Sequence, residues 1–103
     1  MTYNEFRSPH QPSIKAIQLA TCAHYGVEWL DLVSERRPSN LIIPRHVAMY
    51  LSKKMTTRSF QVIGREFRRD HSVIHYAVAK IGGAISNHAE DIAAIKAVLG
   101  GGA

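Results

Sequence analysis

The 103-residue chain has a single cysteine, Cys22, which excludes an intrachain disulfide and a cysteine-built zinc site and suits a reducing compartment. Cys22 reads as a small buried or half-buried helix residue. No apolar run approaches the ~20 residues needed to cross a bilayer, and the opening MTYNEFRSPHQP lacks the apolar centre of a signal peptide, so no membrane partner and a cytoplasmic location are expected. There is no GxxxxGK(S/T) loop to cradle phosphates and no nucleophile placed beside a base. Neither a nucleotide cofactor nor any other cofactor is expected, and catalysis has no support. His71 and His75 stand four apart, which is also metal-ligand spacing, but no glutamate follows in an HExxH pattern and no cysteine is near, so no metal is expected. β-branched runs are scarce. Alanine-rich segments punctuated by glycine point instead to an all-α fold, and the length allows one domain with a modest core.

What the chain does have is positive charge. Thirteen Lys and Arg stand against eight Asp and Glu, a formal charge of +5, and the pI is near 9.7, which favours an anionic partner. Residues 1–12 mix polar, aromatic and proline residues without periodicity and read as a loose arm able to dock through Tyr3 and Phe6. The helical domain is expected over residues 13–99, with a glycine-rich tail at 100–103. Ser13 caps a first helix carrying Ile14, Ile17, Thr21, His24 and Tyr25 at three- and four-residue intervals, and Gly26 ends it. Residues 27–34 form a short second helix with Trp29, Leu30 and Val33 inward. Pro38, Ser39 and Asn40 then forbid a continuous helix and leave Arg36 and Arg37 on a loop. The apolar triplet Leu41, Ile42 and Ile43 is either core or a docking patch for another protein.

Pro44 suits an early helical position, and the helix after it buries Val47, Ala48, Leu51 and Met55. Residues 56–58 turn the chain. Ser59 caps a fourth helix with Phe60, Ile63 and Phe67 inward, and Gly64 permits a neighbour to approach closely. Asp70 caps a fifth helix in which Ile74, Ala77, Val78 and Ile81 share the inward face, Ser72, Tyr76 and Ala79 point outward, and Val73 and His75 flank them. Gly82 and Gly83 break or loosen this helix, and a last one over residues 87–99 packs Ile92, Ile95 and Leu99.

Two helices joined by a very short turn, the second basic at its mouth, make a helix-turn-helix pattern. The stretch RRDHSVIHYAVAKI at 68–81 is its most informative part. First-turn N–H groups lack partners and carry the positive end of the helix dipole, so Asp70 caps them while a phosphate nearby is favoured. Preceded by SFQVIGREF and SERRPSNLIIPRHVAMYLSKKM, this stretch resembles the C-terminal DNA-binding domain of the bacterial replication initiator DnaA. The resemblance runs from Ser13 to about Ile81. Its hallmark, Arg-Asp-His-Ser/Thr, is matched by Arg69, Asp70, His71 and Ser72. The basic loop is matched in part by Ser34, Arg36 and Arg37, and the Pro-Arg helix start by Pro44 and Arg45.

The resemblance implies a compact, Trp-repressor-like helical bundle that binds double-stranded DNA specifically, as a monomer associated with the nucleoid, and regulates replication initiation or transcription. It implies that Arg37 enters the minor groove and that Asp70, His71 and Ser72 read bases in the major groove, while Val73, which departs from the pattern, has the apolar side chain to meet a thymine methyl. Arg36, Arg45, His46, Lys53, Arg68, Arg69 and His75 are the implied backbone contacts. These roles agree with base-edge chemistry: Asp accepts from a cytosine amino group, His and Ser donate or accept at purine edges, and a narrow minor groove holds arginine. The chain also departs from the pattern. Glu35 replaces a loop lysine, Ser39 and Ile43 replace arginines, His46 a glutamine, Val73 a threonine and Tyr76 a histidine, so weaker minor-groove affinity and a drifted preference are expected.

Overall fold

The computed structural model describes residues 11–36 and 38–100. Among them are six α-helices, one short 3-10 turn and no strand: α1 Ile14–Tyr25, α2 Trp29–Val33, the 3-10 turn Ser39–Leu41, α3 Ile42–Met55, α4 Phe60–Phe67, α5 His71–Gly83 and α6 Ile85–Gly100. Three of the helices begin at side-chain caps. Ser13 Oγ accepts the Ala16 N–H at 3.0 Å, Ser59 Oγ the Val62 N–H at 3.1 Å, and Asp70 Oδ1 the Ser72 N–H at 2.9 Å. α1 ends at Gly26, whose φ of 70° is the left-handed conformation that glycine adopts without steric cost.

α3 is the central post. With α1 and α5 it contributes to both apolar clusters, one built from Ile14, Leu32, Met49, Ile63, Phe67 and Ile74 among others, the second from Ile17, Val47, Leu51, Ile81, Ile92 and Ile95. Cys22 lies in the first, and burial, with Glu28 and Asp31 nearby, raises its thiol above the ordinary value. α6 lies along α1, where His24 Nε2 meets Asp91 Oδ1 at 2.7 Å.

Several sequence expectations need correction. Leu30 is 64% exposed rather than core, because α2 starts at Trp29 and turns Leu32 and Val33 inward. His24, near the end of α1, is exposed and pairs with Asp91. α3 starts at Ile42, two residues before Pro44, whose missing N–H falls among first-turn groups that have no intrahelical partner anyway. Gly82 and Gly83 form the last two residues of α5, so the helix ends where these poor helix formers stand. The break comes at Ala84, and α6 begins at Ile85 and runs to Gly100. Met55 and Phe60 are half-buried rather than core. Tyr3 and Phe6 of the expected arm and residues 101–103 of the expected tail lie outside the described residues, while Gln11 Oε1 accepts the Thr57 N–H at 3.4 Å. No described helix is long and apolar enough to cross a membrane.

The α4–α5 joint is close-packed. Three residues separate the helices, and the Arg69 N–H donates back to the Gly64 carbonyl at 2.8 Å. A Cβ on Gly64 would lie 2.7 Å from the Arg69 carbonyl oxygen, closer than real contacts allow. Glycine here lets the second helix of the pair start directly against the first.

Candidate nucleic-acid interface

The amino end of α5 projects to solvent, with Asp70, His71 and Ser72 exposed and Val73 half-buried against the core. Asp70 is fixed by its cap: its carboxylate accepts from Ser72, and His71 Nδ1 stands 3.4 Å from Oδ1. The hydrogen bonds from Ser72, helped by the neighbouring His71, hold the Asp70 carboxyl below its ordinary 3.8. A carboxyl depressed in the folded state stabilises above the unfolded value and loses that effect as pH falls through the folded one. The melting temperature of the native chain should therefore exceed that of Asp70→Asn at neutral pH, and the gap should close below about pH 4. A gap that is constant from pH 7 to pH 2 would show that the charge plays no part in the cap.

Beside this helix mouth lies a cleft of roughly 670 Å³, lined by Glu35, Ile42, Arg45, His46, Met49, Arg68, Arg69, Asp70 and Val73. Its arginines differ in what they do. Arg45 is only 8% exposed and donates from Nε to the Leu32 carbonyl at 3.1 Å, and from Nη2 to those of Asp31 at 2.7 Å and Ser34 at 3.1 Å. Arg69 donates from Nη1 to the Val33 and Phe67 carbonyls at 3.3 and 3.0 Å, and from Nη2 to Ser34 at 2.6 Å. Together they cover the carbonyls of residues 31–34. These are the groups that the carboxyl end of a short helix leaves unpaired, and two cations also suit the negative end of its dipole. The guanidinium groups of Arg45 and Arg69, both expected to meet DNA phosphates, are turned onto α2 in this structure, and they tie the entry of α5 to it.

Arg68 is exposed at the turn itself, with its guanidinium carbon 5.7 Å from the Trp29 ring centre. Arg36 is exposed on the loop, 3.4 Å from Asp31, and Arg37 lies outside the described residues. His46 is half-buried at the cleft wall. Its ring meets Tyr76 edge-on at 5.7 Å, its Nδ1 is buried with no hydrogen-bond partner among the described residues, and burial, with Lys80 and Arg45 near, holds the imidazole below its ordinary value. His75 stacks on Phe60 with centroids 3.6 Å apart, and Lys53 Nζ lies 4.5 Å from the same ring while donating to the Arg58 carbonyl at 3.2 Å. This ladder draws α3, α4 and α5 together at one edge. Of the apolar triplet, Leu41 is core at 2% exposure, while Ile42 and Ile43 remain 48% and 39% exposed.

Sequence reasoning missed two residues of this site. Gln18 is 1% exposed: its Nε2 donates to the Glu66 carbonyl at 3.0 Å, and its Oε1 accepts the Trp29 Nε1–H at 2.8 Å. The available signal was a polar residue standing among Ile14, Ile17 and Thr21 on the inward line of α1. Trp29, read as core, is half-buried and presents its ring to Lys15 at 4.1 Å and to Arg68.

Residues 14–81, from the start of α1 to the last buried isoleucine of α5, match the family described as the bacterial dnaA protein helix-turn-helix. The chain belongs to that family. Among similar proteins, the chromosomal replication initiator protein DnaA of Rhodopseudomonas palustris (strain BisA53) is 44% identical over 84 residues, covering 81% of this chain and 18% of that protein. The DnaA proteins of Rhizobium meliloti (strain 1021) and Rhizobium johnstonii are each 47% identical over 74 residues, covering 71% of this chain and 15% of theirs. The chain thus spans less than a fifth of the length of these DnaA relatives. The matched residues include all of α4 and nearly all of α5, and α6 lies beyond them.

Proposed function

We propose that this chain binds double-stranded DNA specifically and, at DnaA-box-like sites, regulates replication initiation or transcription. The observation that carries the reading is the exposed first turn of α5, where Asp70, His71 and Ser72 stand together on a DnaA-type helix-turn-helix. A helix of this kind fits the major groove with its first residues at base edges, while flanking cations hold phosphates. His71 and Ser72 supply donors and acceptors for purine edges, the Asp70 carboxylate accepts from a cytosine amino group, and Val73 offers a methyl-sized apolar contact. Arg36, Arg68 and Lys53 are the proposed phosphate contacts, His75 stands beside them, and Arg37 is the proposed minor-groove residue. The reading needs no nucleotide, metal or membrane, and a monomer suffices.

Fluorescence anisotropy with a DnaA-box duplex and a shuffled duplex, across a salt series, tests the proposal. Tighter binding to the box is expected, with log affinity falling linearly in log salt at a slope of ~0.9 for each phosphate neutralised. Equal affinity for both duplexes would remove the specificity, and a flat salt response would remove the phosphate contacts.

A further inference from the structure

Arg68 stands apart from the other arginines of the cleft. Arg45 and Arg69 turn onto backbone carbonyls, whereas the Arg68 side chain has no hydrogen-bond or ion-pair partner among the described residues and lies over Trp29. It is also the one described non-glycine residue with positive φ, at 58°. An L side chain pays for that conformation through the approach of its Cβ to the following carbonyl, and Arg68, unlike a glycine or asparagine, has no way round it. Strained residues of this kind persist where their surroundings over-determine them, and they cluster at binding sites.

The surroundings do over-determine this one. The Arg68 N–H closes α4 onto Arg65, and the next residue, Arg69, is anchored on α2 and on the Gly64 carbonyl. The indole beneath the guanidinium is itself fixed. Trp29 Nε1–H is held by Gln18, and Gln18 is held by the Glu66 carbonyl on the last turn of α4, so α1, α2 and α4 jointly orient the ring. A guanidinium resting on an aromatic ring keeps its outward N–H groups available and is already partly ordered before it meets an anion. Arg68 stands two residues before the Asp70 cap, beside the positive end of α5, where a phosphate of a bound duplex is favoured.

Building on the DNA-binding reading, we infer that Arg68 is a phosphate contact set at a strained turn position, and that Trp29, held by Gln18, is a positioning residue for its guanidinium. The test uses the native chain, Arg68→Gly, Trp29→Phe and the double variant, each measured by anisotropy on one duplex across a salt series and by thermal melting. Glycine relieves the backbone, so the melting temperature of Arg68→Gly should equal or exceed that of the native chain, by up to ~6 °C, while affinity falls and the salt slope drops by ~0.9. Trp29→Phe should weaken binding in the native background and change nothing further in the Arg68→Gly background. If native affinity and slope survive in Arg68→Gly, the contact does not exist, although the DNA-binding reading stands on the native chain's own salt response. If Trp29→Phe costs the same in both backgrounds, its effect does not pass through Arg68. A native chain that binds no duplex at low salt sinks the functional reading, and this inference with it.

Discussion

Arg45→Met should lower stability by roughly 1–3 kcal/mol, because it strips the side-chain donor from the Leu32 carbonyl, and a buried carbonyl left unpaired costs ~1–3 kcal/mol. Methionine keeps much of the length and apolar stem of arginine but offers nothing to that carbonyl, while the Asp31 carbonyl keeps Ser34 Oγ and that of Ser34 keeps Arg69. For a domain of this size the loss corresponds to a fall in melting temperature of ~5–20 °C. DNA affinity, measured well below the new melting temperature, should decline modestly through a loosened α2–α5 joint, with an unchanged salt slope. Phosphate contacts set that slope, and positioning residues do not. Thermal melts followed by circular dichroism, together with the salt series, read both quantities. A variant with native melting behaviour and a slope reduced by ~0.9 would put Arg45 on the DNA and undo its reading as a structural clamp.

His71→Ala should remove ~1–3 kcal/mol of discrimination between the preferred duplex and a shuffled one, roughly 5- to 150-fold in affinity ratio, for each base edge that the imidazole reads. Stability should barely change, since the side chain is 48% exposed, its ring meets His75 only edge-on at 5.9 Å, and the Asp70 cap onto Ser72 survives the substitution. Arg36→Ala and Lys53→Ala provide the contrast: both should weaken all duplexes alike and reduce the salt slope. The pattern is decided by competition anisotropy with matched and shuffled duplexes at fixed salt. An unaltered sequence preference in His71→Ala would remove α5 as the reading helix, whatever the chain's general affinity for DNA.

These two arginine and histidine positions show how unevenly the site was written in the chain. Asp70 is a capping residue, and Ser72 falls on the outward side of the line of Ile74, Ala77 and Ile81, so both were legible from local rules, whereas His71, three residues before Ile74, is exposed because it opens the helix. Ser13, Ser59 and Asp70 were legible as caps for the same local reason, and Gly64 as a point of close approach. Leu30 misled because α2 is little more than one turn. In so short a helix the inward line shifts with the first residue, and only packing against α3 fixes where that residue is.

The roles of the arginines were beyond local reasoning. A guanidinium binds a phosphate or a backbone carbonyl by the same chemistry, and which one it meets depends on what the fold brings within reach. Arg45 meets carbonyls 11 to 14 residues away, and Arg69 meets carbonyls 35 and 36 residues away as well as one only two residues back. Hydrophobic period and capping chemistry, both local, determined from the sequence the helical class, the order of the helices and the exposed Asp-His-Ser turn. Tertiary structure alone decided which cations face inward as clamps and which stand outward on an aromatic support, because those contacts join segments whose spacing along the chain follows no period.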